Sequence, residues 1–214
     1  MTSSLSPRRK PAQSRSRKRV DAILSAVVRL VVDKGYAQVS MREVARELGI
    51  PISSLYQYFP SKEAIAAALA DHYMGELHRL LPGTLARLDL KTPTGELIAA
   101  GVGAIVDAYW QYYRAHPELP ALWAACQADP ALQARDRAQC ENQARDLARL
   151  MAAHARRPAD DPDLLAHARW CVETLGATLR RAITLPESEA CALLGVCRQQ
   201  LASALTALAQ RYNK

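Results

Sequence analysis

From Val20 to Tyr212 the apolar residues return every third or fourth position, and Gly or Pro stands wherever that rhythm stops. Nowhere does the chain alternate apolar and polar residues as a half-buried strand would, and no segment repeats at a fixed period. This periodicity predicts an all-α protein. Nine Gly and twelve Pro among 214 residues, beside abundant Ala, Leu and Arg, agree with it. That length suits one large domain or two small ones. No run approaches ~18 uninterrupted apolar residues, so no membrane span is expected. The first nineteen residues lack the apolar stretch of a secretory signal.

The stops divide the chain. Val20, Ile23, Leu24, Val27, Leu30 and Val31 make the first stripe, from about Arg19, and Gly35 ends it. Ser40 and Glu43 have capping-box spacing, with Val39 and Val44 as a hydrophobic staple, and Gly49 closes that short helix. A third helix is expected over Ile52–Phe59, with Leu55 and Phe59 on one side as core anchors and Pro60 as its stop. Two short helices joined by a Gly-containing turn make a helix-turn-helix. Ser61 caps a fourth helix with Ile65, Leu69, Tyr73, Leu77 and Leu80 as its stripe, ended by Pro82-Gly83. Beyond a break at Thr84–Thr94, helices are expected over Glu96–His116, Leu119–Ala128, Ala131–Arg157, Asp160–Leu185 and Glu187–Tyr212.

Charge sharpens the division. The formal charge is +7, and residues 1–19 hold seven basic side chains with no acid. Residues 1–62 sum to +8 and residues 63–214 to −1. A basic head on a near-neutral body fits a polyanion-binding module joined to something else; a solvated tail is the plainer alternative. The expected organisation is a disordered basic arm at 1–18, a helix-turn-helix domain at 19–62 and a second helical domain at 63–214.

The segment Ser40-Met41-Arg42-Glu43-Val44-Ala45-Arg46-Glu47-Leu48-Gly49-Ile50-Pro51-Ile52-Ser53-Ser54-Leu55-Tyr56-Gln57-Tyr58-Phe59-Pro60-Ser61-Lys62-Glu63-Ala64 resembles the DNA-binding signature of the TetR/AcrR family of bacterial transcriptional regulators. The resemblance covers about residues 19–65. It implies an N-terminal three-helix DNA-binding domain and a C-terminal helical domain for ligand binding and dimerisation. It also implies that Ile52, Ser53 and Gln57 read base edges, and that Ser40, Ser54, Tyr56, Tyr58 and Lys62 meet phosphates, with Arg42 able to do either. The chemistry is compatible: an amide pairs with an adenine edge and an aliphatic group with a thymine methyl. Plainer roles stand beside these, Tyr56 or Tyr58 as core aromatics and Ser53 and Ser54 as small helix-start residues. Pro51 departs from the family, which often has Ser or Thr there, so one side-chain cap and one phosphate contact are lost.

The C-terminal half carries no comparable motif. Leu164, Ala168, Cys171, Leu175, Leu179 and Ala182 form one stripe, and Ala190, Leu193, Leu194, Cys197, Leu201, Ala204, Leu205 and Leu208 another. His167, Trp170 and Thr174 suggest a second buried face. That is more apolar surface than one subunit covers, and a homodimer through the last two helices is expected. Tyr109, Trp110, Tyr113, Trp123 and Trp170, with Cys126 and Thr174, are candidates to line an effector cavity, against ordinary core packing. The five cysteines form no C-x-x-C pair and read as reduced thiols of a cytosolic protein; the resemblance implies a bacterial, nucleoid-associated one. No metal, cofactor or enzymatic set is expected: there is no Gly-rich phosphate loop and no Ser-His-acid arrangement. A nonspecific nucleoid protein would need its charge spread beyond the head. The expected function is a ligand-responsive regulator of a double-stranded DNA operator, a repressor released by a small hydrophobic effector. An activator or a ligand-independent regulator is the alternative.

Overall fold

The computed structural model describes residues 14–87 and 94–212, and no β-strand occurs among them. Nine α-helices are described: α1 (Ser14–Lys34), α2 (Met41–Glu47), α3 (Ile52–Tyr56), α4 (Lys62–Leu85), α5 (Thr94–Ala115), α6 (Leu119–Ala128), α7 (Pro130–Ala155), α8 (Pro162–Ala182) and α9 (Glu187–Tyr212), with a 3-10 turn at Tyr36–Gln38 between α1 and α2. The all-α expectation holds. The described residues form two compact units, 14–74 with 117–136, and 75–87 and 94–116 with 137–212.

In the first unit the expected anchors do the packing. Ile23, Val27, Val44, Leu55, Phe59 and Ile65 are each at most 1% exposed. Gly35 and Gly49 take positive φ (79° and 62°), the left-handed turns that end α1 and separate α2 from α3. α6 joins this unit from far along the chain, packing on α1 and the 3-10 turn. Tyr73 donates a hydrogen bond to the buried Glu118 carboxylate, and Arg135 pairs with Asp71 through two guanidinium nitrogens.

The second unit is built from longer helices with small residues at their crossings. Ala144, Ala148 and Ala168 form one buried layer, flanked by Leu147, Met151, Leu165 and Val172. Ala152, Leu164 and Leu208 form another. α5 lies along α9, where Gly95 faces Thr206 and Gly103 faces Arg198, whose guanidinium pairs with Asp107. Asp161 caps α8 by accepting from the amides of Asp163 and Leu164 at 3.0 and 3.2 Å. α8 and α9 are clasped where Tyr212 Oη donates to Asp163 Oδ2 at 2.5 Å, with Arg211 beside it at 2.8 Å.

Three expectations need correction. α1 begins at Ser14, so residues 14–18 are helical rather than a disordered arm; Arg and Lys are good helix formers and extend the amphipathic run backward. Residues 1–13 lie outside the described residues. α3 ends at Tyr56, not Phe59, because Pro60 disfavours helical backbone at the residue before it. α4 continues through Pro82 to Leu85, with Ala86 N–H bonding to the Pro82 carbonyl at 3.0 Å. One missing backbone donor close to a helix end is tolerated. The compact units divide inside α4 after Met74, with residues 117–136 grouped with the head. In the single chain Trp170 is 42% exposed and His167 and Thr174 are half-buried.

Candidate nucleic-acid interface

α2 has seven residues and α3 has five, too few to persist as isolated helices in water. Their rigidity comes from caps and neighbours. The capping box at the start of α2 is complete: Ser40 Oγ accepts from Glu43 N–H at 3.4 Å, and Glu43 Oε2 accepts from Ser40 N–H at 3.0 Å and from its hydroxyl at 2.8 Å. Lys34 at the end of α1 pairs with the same carboxylate. The Lys34 ammonium, and after it Ser40, lower the Glu43 pKa to about 2. Arg29 holds Glu47 at the far end of α2 through contacts of 3.1 and 3.2 Å. α2 is thus fastened to α1 at both ends by ion pairs.

α3 is fastened from beneath. Leu55 and Phe59 are fully buried, while Ile52 (36%) and Tyr56 (41%) are exposed, as are Ser53 and Gln57. Positions 52, 53, 56 and 57 share one helix face, and that face is the one left to solvent. Ser54 and Tyr58 are half-buried on its flanks, so neither tyrosine is a core aromatic. Pro51 stands at the N-cap without a side-chain bond, as its chemistry requires. The result is a small helix with a hard underside and an open outer face, able to enter a major groove end-on.

The expected phosphate contacts are placed less uniformly. Arg42 is exposed in the first turn of α2. Ser40 is exposed, but its hydroxyl hydrogen is donated to Glu43. Lys62 is half-buried: its ammonium donates to the carbonyls of Tyr36 and Ala37 at 3.3 and 3.4 Å and sits 4.5 Å from the centre of the Tyr36 ring. It holds the 3-10 turn in place. Tyr36 is the residue that sequence reasoning missed. Burial raises its phenol pKa, with Glu63, Cys126 and Asp129 adding to the effect. Its only local signal is a position just after a helix-ending glycine.

The effector candidates do not gather in one unit. Tyr109, Trp110, Tyr113, Trp170 and Thr174 lie in the second, whereas Trp123 and Cys126 lie on α6 in the first. Tyr113 is buried and Tyr109 and Trp110 half-buried on α5; burial, then Tyr113, raises the Tyr109 pKa. Trp123 is buried with its indole N–H unpartnered. Cys126 is buried, and its thiol is pushed up to about 12 by burial first and then by Asp136, Asp129 and Asp71. That thiol is unreactive at neutral pH. The second unit also holds a polar group that the stripes did not reveal: Tyr112 donates to Glu76 Oε2 at 2.6 Å, and its ring centre lies 4.3 Å from that of His116 at a tilt of 40°.

Two family models match, and between them they span most of the chain: the tetR family of bacterial regulatory proteins over residues 23–69 and the tetracyclin repressor-like C-terminal domain over residues 96–209. The chain belongs to the TetR family of bacterial transcriptional regulators. Curated relatives described as HTH-type transcriptional regulators match part of the chain. EthR of Mycolicibacterium smegmatis is 39% identical over 63 residues, 29% of either protein. The match spans only about a fifth to under a third of the length of the first curated relatives. Among solved structures, a TetR-family regulator from Streptomyces coelicolor superposes with a TM-score of 0.64 at 23% identity, covering 88% of this chain and 98% of its own. The regulator FrrA, described as flavonoid-responsive, superposes with a TM-score of 0.62 at 21% identity, covering 91% and 96%. At those identities the likeness establishes the fold.

Proposed function

We propose that this TetR-family chain is a homodimeric repressor that reads a palindromic DNA operator through α3 and is released by a small hydrophobic effector. The carrying observation is the outer face of α3, where Ile52, Ser53 and Gln57 are exposed above the buried Leu55 and Phe59. Ile52, Ser53 and Gln57 are assigned to base edges, and Arg42, Ser54, Tyr56 and Tyr58 to phosphates. Ser40 and Lys62 hold the local fold; both donors of Ser40 are spent on Glu43, while the third ammonium hydrogen of Lys62 is assigned to the same backbone.

The dimer reading rests on α9. This helix is long and apolar enough to cross a membrane by length and composition, and its most apolar window is only 22% buried. Val196 on α9 is 57% exposed and Trp170 on α8 is 42% exposed. Pairing α8 and α9 with their copies as a four-helix bundle would cover both. Light scattering should give twice the chain mass at micromolar concentration; a stable monomer refutes the pairing. Tyr109, Trp110 and Tyr113 on α5 favour an aromatic or otherwise apolar effector. A coupling of about 1–3 kcal/mol between effector and operator would give roughly 5–150-fold release.

Selection of the full-length protein against a random duplex library tests the reading. A palindrome should be enriched. Gln57→Ala should then lose about 10-fold or more on that palindrome, one bidentate base contact being worth about 1–3 kcal/mol, and little on a scrambled duplex. Equal loss on both duplexes would make α3 a nonspecific contact. An activator would select a palindrome equally well, and separates from a repressor by the sign of a reporter response.

A further inference from the structure

The head's positive charge divides into two sets. Arg29 and Lys34, in the second half of α1, are tied to Glu47 and Glu43, and the Lys62 ammonium rests on the carbonyls of Tyr36 and Ala37. These serve the fold. Arg17, Lys18 and Arg19, in the first turns of α1, are exposed and take part in none of the ion pairs found among the described residues. The first turn of α1 contains no acid, and Asp21, the nearest, is exposed and joins no ion pair either. Ile23, Ala26 and Val27, one to three turns further on, are fully buried in the same unit as α3. The three charges therefore ride on a packed helix, not on a free tail, and little backbone entropy is lost when they are neutralised.

We infer that Arg17, Lys18 and Arg19 form a second, preorganised phosphate-binding surface that grips the DNA backbone outside the bases read by α3. The inference rests on the operator-binding reading above. Twelve residues of helix separate Arg17 from the Arg29–Glu47 pair, roughly 18 Å along the α1 axis. That is about half a turn of duplex, so the surface extends the footprint instead of duplicating it. A membrane is the poorer partner: among residues 16–22 the exposed side chains are Arg17, Lys18, Arg19, Asp21 and Ala22, with no large apolar group to insert. Val32, the exposed large apolar residue of α1, stands near its other end.

The test compares the full-length protein with the triple variant R17A/K18A/R19A on two duplexes, the selected palindrome with flanks and one of arbitrary sequence. All three positions are exposed, and circular dichroism checks that the variant keeps its helices. The slope of log affinity against log salt concentration should shallow by about 2–3 per subunit, since each phosphate contact contributes about 0.9. Affinity should fall by a similar factor on both duplexes, with the selected sequence unchanged, and R17K/R19K should keep the wild-type slope. An unchanged slope overturns the inference, and so does an unchanged slope with weaker binding to phosphatidylglycerol vesicles. If selection enriches no palindrome, the operator reading fails by itself, while the arbitrary duplex still decides whether α1 grips phosphates.

Discussion

The α2–α3 pair and the α8–α9 pair are both two helices in sequence succession, but they are held together by opposite means. α2 and α3 together contain twelve residues, fewer than half of α9 alone. Their order depends on a capping box, two ion pairs to α1 and two fully buried anchors, Leu55 and Phe59. α8 and α9, at 21 and 26 residues, carry their own backbone order and depend on distributed contacts of Ala and Leu. A short element that must present a fixed face concentrates its stability in a few polar and aromatic contacts; a long one spreads it. Single substitutions should therefore hurt the first pair far more specifically than the second.

The largest expected effect is at Phe59, the chain's only phenylalanine and fully buried. Phe59→Ala should cost about 3–5 kcal/mol of head stability and abolish DNA binding. Its proposed dimer mass should persist in light scattering. Loss of the dimer as well would show that stability is not partitioned as the comparison holds.

Next comes the α2 cap. Ser40→Ala should cost about 1 kcal/mol in chemical denaturation. The Glu43 side of the same box makes the head acid-sensitive. Its carboxylate is held down to about 2, first by Lys34 and then by Ser40. A depressed folded-state pKa gives stability that is complete above the unfolded value of about 4.3 and is lost as pH falls through about 2. Across that window Glu43→Gln should flatten the dependence of the melting temperature on pH relative to wild type. An identical acid slope in both proteins would remove Glu43 from the account.

The smallest effect sharpens the contrast from the other side. Arg156 ends α7 at a positive φ of 52°, with Arg157 N–H reaching back to the Ala152 carbonyl at 3.0 Å, the pattern in which glycine is favoured. Arg156→Gly should stabilise the second unit by about 0.5–1 kcal/mol and leave DNA affinity unchanged. A destabilised variant would mean that the arginine side chain does more there than its backbone strain costs.

Legibility followed the range of the interactions. The Ser40–Glu43 box, Gly35, Gly49 and the Leu55–Phe59 pair act over five residues or fewer, and each was readable from spacing. The outer face of α3 followed once its anchors were known. The Arg29–Glu47, Arg135–Asp71 and Tyr73–Glu118 pairings join residues 18, 64 and 45 apart, and nothing local marks them. The same blindness made Trp123 and Trp170 look like neighbours in one aromatic set. A stripe reports which side of a helix is apolar, but not which unit or copy covers it, and Trp170 is 42% exposed in the single chain.

The first unit closes only when residues 117–136 return to it. A ribosome must therefore add the 62 residues between Met74 and Asp136, taking roughly 3–12 s at ordinary elongation rates, before every residue of that unit exists. Over that interval the nascent chain already displays a strongly basic segment, while the Glu118 partner of Tyr73 and the Arg135 partner of Asp71 have yet to be made. The packing that α6 adds to the head is in this way delayed until well over half of the polypeptide exists.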